Sequence, residues 1–359
     1  MNDDRIMIEG CVYHSDIFKN ALIPSFAVKS DFHFQLFQFL KDWFSDPPTL
    51  AVKTSGSTGI PKPLQVLKQK MINSAHLTCD FLHLKSGDKA LLCLPLDYIA
   101  GKMMVVRAIV VGLDLYAVQP DGNPLSGFKD FSFDFAAMVP LQVYNSLDSN
   151  PVQLENIKNI LIGGGAIDRR LEEQLQIFSN NFYASYGMTE TLSHIALRKL
   201  NGKDKSFNYK PFNSVELSLS EDEALIINAP LIADHLLYTN DIAKIFEDGS
   251  FQIIGRKDNI INSGGIKIQP EVIENLLSSV IDMPFAITSL PDEKLGEIVI
   301  LVAEKQIGKS LFKDLPKYCQ PRKIIIIDKI PMTETGKIKR RELRELLRMN
   351  YFPHPSRTA

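Results

Sequence analysis

The chain has 359 residues, 45% of them apolar, and a formal net charge of −2. That length suits about two domains at ~150 residues each, and the apolar share is enough for proper cores. The near-neutral balance gives no electrostatic case for nucleic acid or for an anionic membrane surface.

Four cysteines, Cys11, Cys79, Cys93 and Cys319, are scattered with no C-x-x-C pair. A disulfide framework or zinc site is therefore not expected, and a reducing cytoplasm fits. The start, Met1-Asn2-Asp3-Asp4-Arg5, lacks the apolar run of a signal peptide. Before residue 50, Leu36, Phe37, Leu40, Trp43 and Phe44 recur at three-to-four spacing, which predicts a helix burying one face.

Next comes Thr54-Ser55-Gly56-Ser57-Thr58-Gly59-Ile60-Pro61-Lys62. Backbone N–H groups in such a loop can converge on an anion; the hydroxyls add donors and Lys62 a compact positive charge. Taken alone the run also reads as a flexible linker. It follows Leu50-Ala51-Val52, so it is expected to leave a strand end, where α/β proteins hold ligands. The chain has neither Walker A spacing nor G-x-G-x-x-G.

From 88 to 118 the order is strand (90–94), loop, helix (101–112), strand (113–118). The apolar segment from Met103 to Val118 carries Arg107 and Asp114 and is shorter than the ~20 residues a bilayer span needs. It reads as a buried helix running into a strand. Arg107, set among Met103, Met104, Val105, Val106, Ala108 and Ile109, needs a partner, because a buried unpaired charge is costly. A protein carboxylate and a ligand carboxylate are both open.

Short strands follow at 135–139 and 157–162, the second ending in Gly163-Gly164-Gly165; Asp168 then opens a helix to about 178. A further apolar run at 181–187 leads through Tyr186-Gly187-Met188-Thr189-Glu190 into a strand at 192–197. Alternating strands and helices predict α/β layers. Residues 213–255 are β-rich, with an Asp248-Gly249 turn. Beyond 256 come a helix (270–280), strands (285–289, 297–303, 324–327) and a basic helix (339–349). A domain boundary is expected near Gly255–Asp258, separating 1–255 from 256–359, with residues 353–359 frayed.

Five segments occur in the order found in the adenylate-forming superfamily, which includes acyl-CoA synthetases, luciferases and peptide-synthetase adenylation domains. The 54–62 run resembles that family's Thr-Ser-Gly-Ser/Thr-Thr-Gly-x-Pro-Lys-Gly loop, with Pro63 in place of the last glycine. Tyr186 to Glu190 resembles Tyr-Gly-x-Thr-Glu, and Tyr238-Thr239-Asn240-Asp241 resembles Thr-Gly-Asp. Gly255-Arg256-Lys257-Asp258 with Gly264-Gly265-Ile266-Lys267 resembles the family's hinge segment, and Pro331 to Lys337 its Pro-x-x-x-x-Gly-Lys.

The resemblance implies a layered α/β N-terminal domain, with an abbreviated N-terminus, and a small mobile α+β C-terminal domain. It implies an AMP-forming acid–thiol ligase that uses ATP, Mg²⁺ and coenzyme A. The residues from Thr54 to Lys62 would hold phosphate, and Gly163, Gly164 and Gly165 would line the nucleotide and acyl pocket. Tyr186 would stack on adenine beside Gly187, Thr189 would bond the α-phosphate, and Glu190 would hold Mg²⁺. Asp241 would bind the ribose hydroxyls and Arg256 ribose or phosphate. Asp258 would be the pivot, Gly264, Gly265 and Lys267 the thiol's path, and Lys337 the catalytic lysine.

Standing alone, Gly163–Gly165 and Gly187 read as turns, Gly264-Gly265 as a hairpin turn, and Asp241 as a capping or turn aspartate. Leu94-Pro95-Leu96-Asp97-Tyr98-Ile99-Ala100-Gly101 further resembles Leu-Pro-Leu-Phe-His-x-Ser-Gly of compact o-succinylbenzoate–CoA ligases of menaquinone synthesis. In those ligases an arginine at the position of Arg107 pairs with the substrate's second carboxylate, so Tyr98 and Arg107 are the expected acid contacts. Another aryl or acyl acid, or a nucleotide-binding protein without turnover, remains open.

Overall fold

The computed structural model describes residues 4–53, 63–333 and 337–351. The expected phosphate loop, Thr54 to Lys62, lies outside the described residues, as does the expected frayed tail.

A nine-stranded sheet organises the first half of the chain. Its order is Lys210–Pro211, His194–Lys199, Asn181–Gly187, Ile157–Ile162, Phe133–Met138, Lys89–Leu92, Asp114–Ala117, Arg5–Ile8, Cys11–His14. The six strands from Asn181–Gly187 to Arg5–Ile8 run parallel, and antiparallel strands close both edges. Alternate residues face two cores. Ala90, Leu92, Phe135 and Ala137 pack with helices Asp31–Phe44, Lys68–Leu82 and Ile99–Val111. Leu91, Cys93, Ala136 and Met138 pack instead with Val143, Leu154, Leu171 and Leu175. Burial on both faces is why these strands are continuously apolar rather than alternating.

The strands at Arg5–Ile8 and Cys11–His14 were not foreseen. They are four residues each, and only pairing with Asp114–Ala117 makes them part of a sheet. The expected 101–112 helix starts earlier, at Ile99, and ends on Gly112 in a left-handed cap at φ 81°.

Thr49–Lys53 and Pro63–Leu67 form a separate antiparallel hairpin. The 54–62 run therefore joins two hairpin strands paired at Lys53 and Pro63, not a parallel strand and a helix. Lys53 also bridges to Tyr98, which roots the hairpin beside the carboxyl end of Lys89–Leu92.

A four-stranded antiparallel sheet follows, Glu216–Leu219, Ala224–Asn228, Leu237–Ile245, Phe251–Arg256, and its inner face (Leu225, Ile227, Ala243, Phe251) joins the first core. After a one-turn 3₁₀ segment at Lys257–Asn259, the chain builds another sheet around Gly296–Ala303. Helix Pro270–Leu277 covers one face of it with Ile273 and Leu277, and helix Arg340–Tyr351 covers the other with Leu343 and Leu347. Every buried apolar residue of these last two cores lies beyond residue 260. All four cysteines are free, and among the described residues no helix is long and apolar enough to cross a membrane.

Candidate active site

Parallel strands place their outgoing loops on one edge. Along the central sheet, the chain moves from Lys89–Leu92 to Asp114–Ala117 on one side, then to Phe133–Met138 on the other. Such a reversal opens a crevice at the carboxyl ends of the strands, where α/β proteins bind ligands. Three expected motifs leave from that edge: Leu94 to Gly101 after Leu92, Gly163–Gly165 after Ile162, and the Tyr186 to Glu190 turn at the end of Asn181–Gly187.

The glycines there are fixed by close approach. A Cβ on Gly163 would meet Ser185 Oγ at 2.4 Å, so the triple glycine lies directly beside the strand that carries Tyr186. Gly164 has φ 77°. On Gly187, a Cβ would come within 2.1 Å of the Ser193 carbonyl. That turn folds back through Thr191, whose hydroxyl accepts from Met188 N at 2.9 Å and lies 2.7 Å from the Ser193 carbonyl. It holds buried Leu192 at φ 61°, a conformation that bulky residues seldom adopt. Thr189 is buried and Glu190 exposed. The following strand begins at His194, two residues later than expected, because Thr189–Thr191 is a 3₁₀ turn.

Asp241 is neither a cap nor a turn residue. It lies within strand Leu237–Ile245 and pairs in register with Arg256 on the neighbouring strand. Arg256 Nη1 donates to Asp241 Oδ1 at 2.9 Å, and the Tyr186 hydroxyl donates to Asp241 Oδ2 at 2.7 Å. The other Arg256 nitrogen, Nη2, reaches Asp258 Oδ2 at 3.2 Å. Burial works against the Arg256 charge, but the bond to Asp258 and the charges of Asp241 and Asp258 outweigh it and raise its pKa. Burial, then Asp241, pushes the Tyr186 phenol far above its ordinary value, so it stays a donor. Tyr186 packs edge-on against Phe251 at 5.3 Å.

Lys337 arrives from the far end of the chain. Its N–H donates to Thr333 Oγ1 at 3.0 Å, and Thr333 N donates to the Lys337 carbonyl at 2.8 Å, while Met332 bridges Ile338. The residue as a whole is exposed, yet burial around its ammonium lowers its pKa; Asp241 opposes that shift and Arg256 adds to it. The charges acting on Lys337 are thus two of the residues that sequence reasoning had placed on the nucleotide.

Arg107 is 1% exposed, and among the described residues no carboxylate pairs with it. Its Nη2 donates to Ser193 Oγ at 2.8 Å, and burial lowers its pKa to about 10. The protein salt bridge left open by the sequence is therefore not what holds it. Tyr98, half-buried, is the residue that precedes the Arg107 helix, and neighbouring Asp97 pairs with Lys53 at 3.6 Å.

Gly264 (φ 60°) and Gly265 (φ 84°) form the two-residue turn between Ile261–Ser263 and Ile266–Ile268. Positive φ at both central positions is the type I′ hairpin, which explains both glycines by local geometry. Lys267 is exposed beside them. Sequence reasoning missed Ser193, His194 and Thr78, which back Arg107; only the topology brings Thr78 to a strand more than a hundred residues away.

The model of the AMP-binding enzyme family matches residues 45–229, over half of the chain. The chain belongs to that family. An acyl-CoA synthetase (AMP-forming)/AMP-acid ligase II-like protein from Dyadobacter fermentans is 32% identical, with 93% of this chain and 98% of that one covered and a TM-score of 0.63. The 2-succinylbenzoate–CoA ligase of Oceanobacillus iheyensis is 25% identical over 342 residues, 84% of this chain and 70% of the relative. O-succinylbenzoate coenzyme A synthetase from Bacillus subtilis, in complex with ATP and magnesium, shares the fold at TM-score 0.72 and 21% identity, over 88% of this chain and 78% of that one. The adenylate-forming enzyme fold expected from the motifs is thus the fold of this chain.

Proposed function

We propose that this AMP-forming acid–thiol ligase converts o-succinylbenzoate to its CoA thioester, as a step of menaquinone biosynthesis. The observation that carries the reading is the meeting of Tyr186, Asp241, Arg256 and the charge of Lys337, four residues from two sheets and a terminal loop. The name and coverage of the Oceanobacillus relative favour the acid.

In the first half-reaction a carboxylate oxygen attacks the α-phosphorus of ATP; the bond to the β-phosphate oxygen breaks and pyrophosphate leaves. Such a transfer needs alignment and charge neutralisation more than covalent help from side chains. Tyr186 and Asp241 would seat the adenosine and Arg256 would reach the ribose or phosphate, beside Thr189 on the α-phosphate and the loop from Thr54 to Lys62. Lys337 would sit where negative charge gathers between the two reactants. Glu190 is exposed, a donor suited to Mg²⁺, which when bound offsets phosphate charge.

In the second half-reaction the thiol sulfur of coenzyme A attacks the acyl carbon and AMP leaves with the electron pair. For this step the unit beyond Arg256 would turn about Asp258, withdrawing Lys337 and bringing Gly264, Gly265 and Lys267 to the thiol's path. Arg107 would read the acid's distal carboxylate. Because it is 1% exposed, that carboxylate would be desolvated as the side chains covering the guanidinium part.

Pyrophosphate release over a panel of acids tests the assignment. O-succinylbenzoate is expected to give the highest kcat/KM. A faster monocarboxylic acid would move the assignment to another acyl or aryl substrate, and no active acid at all would point to a nucleotide-binding protein without turnover.

A further inference from the structure

Arg107 is held by a chain of neutral groups. Ser193 Oγ, which accepts from Arg107 Nη2, lies 3.1 Å from His194 Nδ1. His194 Nε2 lies 3.0 Å from Thr78 Oγ1, and Thr78 Oγ1 donates to the Ser74 carbonyl at 3.2 Å, one helical turn back. A hydroxyl has one proton to give. Thr78 spends its proton on Ser74, so His194 Nε2 must carry the hydrogen and donate to Thr78. Nδ1 is then a lone pair and takes the proton of Ser193, which leaves a Ser193 lone pair facing the arginine. The direction of every bond follows from the backbone carbonyl at the far end.

Nothing in this chain carries negative charge. Burial and the nearby Arg107 hold His194 well below its ordinary pKa, so it adds no positive charge either. Elsewhere on the guanidinium, among the described residues, Nη1 meets only Met104 Sδ at 3.8 Å and Nε has no partner, and the Phe135 ring stands 6.0 Å away. Arginines that serve packing are neutralised by a carboxylate, as Arg198 is by Glu172 and Arg340 by Glu274 in this molecule. Arg107 is oriented without being neutralised.

We propose that Thr78, His194 and Ser193 form a neutral orienting relay that fixes the Arg107 guanidinium and leaves its charge for an anionic group of the acid substrate. The relay rests on the reading of Arg107 as the contact for the acid's distal carboxylate. These three are positioning residues. They set selectivity for a dicarboxylic acid, and through Ser193 they tie it to the Thr189–Thr191 turn.

Pyrophosphate release with o-succinylbenzoate, in Ser193→Ala, Ser193→Thr, Thr78→Val and Arg107→Leu variants, tests this. Losing a hydrogen bond to a charged group raises KM for the acid about tenfold in Ser193→Ala, with KM for ATP and kcat within about twofold. Thr78→Val, two links further from the arginine, raises the same KM about threefold, and Ser193→Thr, which keeps the hydroxyl, restores it to about the unmodified value. If Arg107→Leu raises the acid's KM while Ser193→Ala and Thr78→Val leave it unchanged, the relay is overturned and the Arg107 reading stands. If Arg107→Leu itself leaves it unchanged, both fall. An equal rise in KM for ATP in Ser193→Ala marks a general packing role and also overturns the relay.

Discussion

Asp241 accepts from two donors at once, one on the central sheet and one on its own. Removing the carboxylate frees the Tyr186 hydroxyl and leaves Arg256 to Asp258 alone. An unpaired, partly buried hydroxyl costs about 1–3 kcal/mol, so Asp241→Ala should lower stability modestly. Its larger effect belongs to the nucleotide: KM for ATP should rise about tenfold or more, equivalent to about 1.4 kcal/mol or more, with KM for the acid little changed. Steady-state kinetics with each substrate varied in turn checks this, and equal rises for both would remove Asp241 from the nucleotide site.

At the scale of elements, one glycine decides how the Arg107 helix is seated. A Cβ on Gly101 would lie 2.3 Å from the Pro95 carbonyl oxygen and 2.8 Å from that of Leu94, both backbone atoms with little room to yield. Gly101→Ala in an isolated helix would gain up to about 1 kcal/mol; here overpacking should reverse the sign and cost about 1–3 kcal/mol. Urea denaturation should show a lower midpoint at unchanged slope. An unchanged or higher midpoint would mean the helix can slide, and with it Arg107.

The same elements show what could be read in advance. The apolar runs at 90–94, 135–139 and 157–162 appear as strands within a residue or two, because burial on both faces leaves no other use for them. Arg107 stood out because a charge in an apolar helix is costly, and its lack of a carboxylate partner among the described residues is what the geometry adds. Asp241 looked like a turn residue because Asn240-Asp241 is turn chemistry, yet pairing with Phe251–Arg256 overrides it. The hairpin Gly264-Gly265 was legible as a turn from local rules. The relay at Thr78 and the first two strands were not, since both depend on contacts far apart in the chain.

For the whole molecule, the cores built before residue 256 and those built beyond residue 260 are joined through the short segment Lys257–Asn259. Arg344, on the terminal helix, lies 3.4 Å from the Asp258 carbonyl through both terminal nitrogens and 3.1 Å from Asn259 Oδ1, so the proposed pivot is held by the unit it would swing. Gly255 lets Gln269 and Glu271 approach the end of the second sheet; a Cβ there would meet Gln269 Oε1 at 2.4 Å. Hinges are a few element-terminal residues that absorb a backbone change. Fixing φ with Asp258→Pro should slow thioester formation from supplied acyl-adenylate about tenfold or more while adenylation stays within a few-fold. Rapid-quench measurement of each half-reaction checks it, and an unimpaired second step would place the pivot elsewhere.

Separating the two half-reactions in Lys337→Ala bears most directly on a site shared between the central sheet and the tail of the chain. Pyrophosphate release from ATP and acid should fall by about three orders of magnitude, as for loss of a preorganised charge at the reacting centre. Conversion of supplied acyl-adenylate to the CoA thioester should stay within a few-fold of the unmodified enzyme. Equal loss in both steps, or adenylation that survives without the lysine, would contradict the account.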